Sequence, residues 1–348
     1  MIRLLLAVVP WCSTACAAPT ADHVVLRGGQ VVGQGQVDVE LRDGRIVGVG
    51  QRAAPGAAEV DVAGRWIAPA FIDSHVHLAY LKQPEQMADG GIAAAVDLAA
   101  PLSFLPENLA PLRVVHAGPM ITATGGYPTR SWGAGGYGLE CADGDQAEAA
   151  VATVAAAGAA VAKLPVTSEP VLGDEPLRRA ASAAHERGMR TVSHALDDDT
   201  AARARTAGIQ ALAHTPVGPL SEATLSAWGD GGAVISTLAA FGGSQDTMAN
   251  LQALRAAGAV VLYGTDFGNT RTAGIDGAEI ALMQKAGMDG AAILDAGTAA
   301  PAAWWGLTEL GSIEAGKAAS LLVRDADPRK DPSSLSRPVQ VWLDGIRR

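Results

Sequence analysis

The chain has 348 residues, a formal net charge of -10, 49% hydrophobic residues and 18% charged residues. That composition supplies a barrel-sized core and excludes a disordered chain. The acidic balance, with no Lys/Arg-rich block anywhere, argues against a nucleic-acid-binding surface, which needs a basic patch.

The first residues, "MIRLLLAVVPWCSTACAAPTADHVV", place Arg3 ahead of a short apolar run from Leu4 to Val9, followed by small residues. This is the layout of an export signal, and the run is too short to span a bilayer. Residues 1–18 are therefore expected to form a signal peptide cleaved after Ala17, which predicts a periplasmic or extracellular protein. Two alternatives stay open. One is a lipid anchor on Cys16, although Ser13 stands where such signals usually carry leucine; the other is an irregular, uncleaved N-terminus. Loss or modification of Cys12 and Cys16 leaves Cys141 alone, so no disulfide framework is expected. No other segment is long and apolar enough to anchor the chain in a membrane.

From His23 to Val62, short valine-rich runs alternate with glycine turns, and Arg42-Asp43-Gly44-Arg45 between two of them is a hairpin signal. The far end, "GSIEAGKAASLLVRDADP" and "PVQVWLDGIRR", has the same texture and a second Asp-Gly turn at Asp344-Gly345. The two ends are expected to pair into one small sheet domain. Between them, apolar strand-like runs alternate with alanine-rich segments of helical length. The expected strands are Ile67 to Asp73, Ala93 to Leu98, Leu112 to His116, Ala160 to Leu164, Arg190 to His194, Ala211 to His214, Ala233 to Leu238, and Val260 to Asp266. Strand and helix alternating at this pace indicate βα units, and an α/β fold closed as a (β/α)8 TIM-like barrel is the expected architecture. An open doubly wound sheet explains the alternation too, but no Gly-rich phosphate loop follows the first strand.

Chemistry in such a barrel sits at the C-terminal ends of the strands. In "PAFIDSHVHLAY", His75 and His77 are two apart and leave the same face of a strand. Lys163 ends the fourth expected strand, His194 the fifth, His214 the sixth and Asp266 the eighth. Elsewhere, His23 belongs to the β-unit, His185 lies in a helical stretch and is expected to be solvated, and His116 is assigned a structural role. Lys163, in "AAVAKLPV", must lose its charge or find a partner, because an isolated buried ammonium is costly. A neutral lysine amine can react with carbon dioxide to give a carbamate, a carboxylate-like ligand able to bridge two metals. The alternative is a lysine whose tip snorkels to the mouth.

These residues together resemble the metal-dependent amidohydrolase superfamily. "PAFIDSHVHL" looks like its first-strand His-x-His motif, Lys163 like its bridging lysine, His194 and His214 like its fifth- and sixth-strand histidines, and "YGTDF" like its eighth-strand aspartate. "VDVAGRWIAPAFIDSHVHL" and "GSIEAGKAASLLVRDADP" are similar to the junctions where the superfamily's β-sandwich meets its barrel. The resemblance implies a β-sandwich from residues 19–68 and 311–348 around a barrel of residues 69–310. Within the superfamily, "GPMITATGGYPTRSWG" looks like the third-strand loop of the imidazolonepropionase-related, prolidase-like group, many of whose members carry His where this chain has Tyr127.

The resemblance implies two divalent metal ions, zinc by ligand type. One is expected on His75, His77 and Asp266 and the other on His194 and His214, with a carbamylated Lys163 between them. A water activated there, with Asp266 as general base and then acid, hydrolyses a C–N bond. No Gly-x-Ser-x-Gly elbow supports a serine mechanism. Arg130 and Arg271 are suited to a substrate carboxylate, and Tyr80, Tyr127 and Trp132 to a pocket wall. The expected substrate is a small carboxylate-bearing amide, a dipeptide or an N-acyl amino acid. The rivals are a mononuclear deaminase of the same superfamily, with Asp197 as its extra acid, and a catalytically silent exported binding protein. Neither substrate identity nor oligomeric state follows from the sequence.

Overall fold

Pro69 ends one strand and Phe71 begins another, where the sequence reads as a single element from Ile67 to Asp73. The computed structural model describes residues 22–168 and 170–348, so the signal peptide assigned to residues 1–18, with Cys12 and Cys16, lies outside the described residues. Trp66–Pro69 pairs antiparallel with Leu321–Arg324, while Phe71–Val76 pairs parallel with Ile92–Asp97. Ala70 N–H still donates to Ser320 O, and Phe71 N–H already donates to Gly91 O. Both strands are apolar and buried, so periodicity alone gives no sign of the change of sheet.

Eight strands run parallel: β1 (Phe71–Val76), β2 (Ile92–Asp97), β3 (Arg113–His116), β4 (Val161–Lys163), β5 (Arg190–Ser193), β6 (Ala211–Leu212), β7 (Ala233–Ile235) and β8 (Val260–Leu262). They form two arcs, β1 to β3 and β4 to β8, each in chain order. Isolated hydrogen bonds cross both gaps. Ala160 N–H donates to His116 O at 3.0 Å on the β3 side, and Ser74 N–H donates to Tyr263 O at 2.8 Å on the β8 side. Most strands stop short of their expected ends, because the backbone turns out of the extended region there; Thr237 and Asp266 have φ of 40° and 55°.

Helices fill most of the connections, including Gly144–Ala156, Asp174–Glu186, Asp198–Thr206, Glu222–Gly229 and Gln245–Ala257. Many start where an Asp or Ser side chain accepts a backbone N–H two or three residues on, as Asp143, Asp197, Ser221 and Ser244 do. The β3–β4 connection also holds a parallel ribbon, Met120–Ala123 with Gly138–Cys141, which is not among the expected strands. Among the described residues, no helix is long and apolar enough to cross a membrane.

The two chain ends build two further sheets. One orders Arg45–Val49, Val39–Arg42, His23–Arg27 and Ala58–Asp61; the other carries Leu321–Arg324 between Gln340–Leu343 and Trp66–Pro69. Leu26, Val39, Ile46, Ile67, Leu321 and Trp342 bury a core between them, separate from that of the parallel strands. Both Asp-Gly turns form, with φ of 49° and 76° at Asp43-Gly44 and 47° and 76° at Asp344-Gly345. Because Trp66–Pro69 leads directly into β1, this small domain fixes where the first histidine pair emerges.

Candidate metal centre

His75 lies within β1 and His77 just beyond it, both buried on one side of the strand. The ring of His75 donates from Nδ1 to Ala213 O at 2.8 Å, which leaves its Nε2 as a lone pair. That lone pair is 3.2 Å from His77 Nε2 and 3.4 Å from Asp266 Oδ1, and His77 Nε2 is 3.1 Å from the same oxygen. Burial, and after it Lys163, hold His75 well below the ordinary imidazole pKa, so the ring is neutral at neutral pH. Three atoms able to act as ligands thus face one another at short range. A cation satisfies all three, and their ligand atoms lie within 4.8 Å of one another.

The backbone around these groups is tightly held. Asp73, fully buried, accepts from His75 N–H at 3.1 Å, Thr265 N–H at 3.1 Å and Thr265 Oγ1 at 2.6 Å, so it ties β1 to the segment that presents Asp266. Asn269 Nδ2 donates to both oxygens of Asp266, at 3.1 and 3.2 Å. Gly268 has φ of 111°, and a Cβ there would sit 2.8 Å from both the Cβ and the carbonyl oxygen of His77. Only glycine fits that conformation in that space.

His214 and His194 face the same pocket from β6 and β5. His214 Nδ1 is 3.0 Å from Thr237 Oγ1, and its ring centroid lies 4.5 Å from that of His75 and 4.8 Å from that of His194. Phe241 packs edge-on against it. Burial lowers His194 to about 3, with Lys163 adding to the effect. His214 is lowered well below its ordinary range by burial, then by His194 and Lys163. Lys163 ends β4 fully buried, and burial lowers its amine to about 7 against the opposing pull of Asp266 and Asp97. Neutral imidazoles and a half-neutral amine are the ligand-competent forms of these side chains.

The β3–β4 connection lays aromatic residues over this pocket. Tyr127 stacks 4.8 Å from His194 and accepts a hydrogen bond from Trp132 Nε1 at 3.0 Å; burial pushes its phenol up to about 12. Trp132 also packs 5.2 Å from His77 and 6.2 Å from the exposed Tyr80. Arg130 is exposed and folds over Gly125, and Arg271 is exposed after β8. Neither forms an ion pair among the described residues.

His185 is exposed, as expected, and its Nε2 lies 3.1 Å from Thr191 Oγ1. One expectation changes. Asp197, offered as a deaminase acid, instead caps the helix Asp198–Thr206, accepting from Thr200 N–H at 2.9 Å. The sequence reading also passed over Asp73, Thr237, Asn269 and Asp97. Asp97, at the end of β2, is buried with no hydrogen bond to either oxygen among the described residues, and His116 Nδ1 lies 3.8 Å away. Asp73 in "FIDSHVH" and Asp97 in "AAAVDLAA" carry the signal that marked Lys163, a charge inside an apolar strand.

Residues 233–347 match the model of the Amidohydrolase family. An uncharacterized protein of Mycobacterium tuberculosis is 26% identical over 368 aligned residues, covering 93% of this chain and 95% of its own. A dihydroorotase of Geobacter sulfurreducens is 29% identical over 193 residues, 50% of this chain and 43% of that enzyme. Among solved structures, a Xaa-Pro dipeptidase with methionine bound in its active site superposes with a TM-score of 0.80 at 18% identity, covering 94% of this chain and 99% of that one. A prolidase complexed with N-methylphosphonate-L-proline gives 0.79 at 19% identity, with coverages of 94% and 99%. At these identities the structures establish a shared fold.

Proposed function

We propose that the chain, whose residues 233–347 match the Amidohydrolase family, is a metal-dependent amidohydrolase that hydrolyses a C–N bond in a dipeptide or an N-acyl amino acid. The observation that carries this reading is the convergence of His75 Nε2, His77 Nε2 and Asp266 Oδ1 on one point that a cation satisfies. The reading takes the two arcs of parallel strands as one (β/α)8 barrel, supported by the hydrogen bonds across both gaps. It also takes residues 1–18 as an export signal.

His75, His77 and Asp266 would hold one divalent ion, zinc by ligand type, and His194 and His214 would hold a second. Lys163 lies between these sets in the barrel order. With its pKa at about 7, about half of its amine is neutral at pH 7. The amine nitrogen would then bond to the carbon of carbon dioxide and release one proton, giving a carbamate whose carboxylate-like oxygens suit divalent ions. Bound divalent ions supply Lewis acidity, which lowers the pKa of water from about 15.7 toward 7 and polarises the scissile carbonyl.

Asp266 accepts the proton of the attacking water and delivers it to the leaving nitrogen. Asn269 keeps that carboxylate oriented through its two hydrogen bonds. Tyr127 stays protonated, with its phenol at about 12. Its oxygen accepts from Trp132, so its own proton is free to donate to the substrate's carbonyl oxygen as charge develops there. Arg130 and Arg271, exposed and unpaired among the described residues, take the substrate carboxylate. The structural likeness to a Xaa-Pro dipeptidase supports the dipeptide choice. The half-length similarity to a dihydroorotase favours a cyclic amide as the second reading.

The test is kcat/KM on metal-loaded protein for dipeptides, N-acetyl amino acids and cyclic amides, with Arg130→Ala and Arg271→Ala alongside wild type. Selective turnover of carboxylate-bearing linear amides, weakened in at least one arginine variant, agrees with the proposal. Unchanged values in both variants refute the carboxylate clamp, and turnover of cyclic amides alone moves the assignment to the second reading.

A further inference from the structure

A second pocket lies at the opposite ends of the parallel strands from the metal residues. A cavity of about 390 Å³ is bounded by the starts of β4 and β5, the approach to β6, and the end of the helix Ala299–Trp305. Arg190, the first residue of β5, lies 4.7 Å over the ring of Trp304, and its Nε donates to Trp304 O at 3.1 Å. These contacts fix the guanidinium in place, and no ion pair engages it among the described residues. No aspartate or glutamate lines the cavity, although the chain carries a net charge of -10.

The other polar side chains of this lining are His185, Trp304 and Gln210, and the Nε2 of His185 is engaged by Thr191 Oγ1 at 3.1 Å. The indole N–H of Trp304 is buried without an acceptor among the described residues. Gln210 lines the cavity and accepts from Thr191 N–H at 3.2 Å through its amide oxygen, which leaves its NH2 end free. Val115, Met189 and Trp305 supply an apolar wall. A concave, partly apolar surface with a fixed guanidinium and no acid has the chemistry of an anion site. Its volume falls within the range of small-molecule pockets, roughly 300–1,000 Å³.

We propose that this pocket binds a small organic carboxylate, with the carboxylate on Arg190 and the apolar body against Met189 and Trp305. The site is separate from the metal centre, because Arg190 and His194 sit at opposite ends of β5, about 13 Å apart along an extended chain. The proposal therefore stands whatever substrate the metal centre takes. Inorganic phosphate would meet the same donors but would not use the apolar wall.

The test is isothermal titration calorimetry of the metal-loaded full chain with benzoate and, separately, with inorganic phosphate. Wild type is expected to bind benzoate with a Kd of about 1 mM or tighter. Arg190→Gln should weaken this by roughly tenfold or more, the loss of a charge-assisted hydrogen-bond pair. Ala303→Glu places a carboxylate on the exposed rim of the same cavity. It should have the same effect without removing a structural contact, so the test survives if Arg190→Gln fails to fold. Asp266→Asn, which alters the metal centre, should leave benzoate binding unchanged. Absence of benzoate binding to wild type overturns the proposal, as does binding that survives both pocket variants or is lost in Asp266→Asn. Binding of phosphate but not benzoate overturns the carboxylate assignment.

Discussion

Asp73→Asn isolates the buried carboxylate that ties β1 to the Asp266 segment. In the folded chain burial pushes this carboxyl from 3.8 up to about 7, despite hydrogen bonds from Thr265 and His75 that favour its ionised form. The raised value means that the native protein holds a proton the unfolded chain has lost between about pH 4 and pH 7. Folding takes up that proton, so the group's contribution to stability is full below pH 3.8 and is lost as pH rises through 7. The slope approaches about 1.4 kcal/mol per pH unit inside the window. Between pH 5 and pH 8 the wild type should therefore lose about 3 kcal/mol that the asparagine variant does not. Glu279, buried, likewise raised to about 7 and electrostatically coupled to Asp73, adds a pH dependence to both proteins, so the prediction is read from the difference between them. Urea unfolding of metal-stripped wild type and variant, followed by tryptophan fluorescence at pH 5, 6, 7 and 8, reads this difference directly. A gap between the two proteins that stays constant within about 0.5 kcal/mol across the series, or grows in the opposite direction, refutes a buried, proton-holding Asp73.

Gly268→Ala should destabilise the protein by about 3 kcal/mol, from the positive φ and the overlap with His77 together, and should reduce bound metal; thermal melting and elemental analysis check both. Thr237→Val removes the hydroxyl beside His214 Nδ1, and metal affinity by chelator competition should fall about 10- to 100-fold with little change in fold. If the phenol donates as proposed to charge that develops only in the transition state, Tyr127→Phe should lower kcat by about a hundredfold while KM changes little. Equal loss in KM would instead make Tyr127 a ground-state contact.

The residues of the candidate metal centre were legible because their chemistry conflicts with their surroundings. Two histidines on one face of an apolar strand and a lysine inside another stand out in one dimension. Asp73 and Asp97 carry the same conflict, but a single acid in an alanine-rich run does not say that the site around it is closed to water until the helices pack over it. The split at Pro69 was hidden because two buried strands in succession look like one longer strand. His214 and Asp266 lie beyond their strands, where Thr237 and Asp266 adopt positive φ that no residue type among them demands. The ribbon of Met120–Ala123 and Gly138–Cys141 was missed because each strand is short and the glycine-rich segment between them reads as turn.

The most direct test of a binuclear, lysine-bridged hydrolase is the metal content per chain, by elemental mass spectrometry, of wild type and Lys163→Ala purified without chelator. About two divalent ions per wild-type chain, falling to one or none in the variant, is the result the account predicts. One ion per chain, unchanged by the substitution, contradicts a bridging role for Lys163, and a wild-type chain that binds no divalent ion contradicts the metal centre itself.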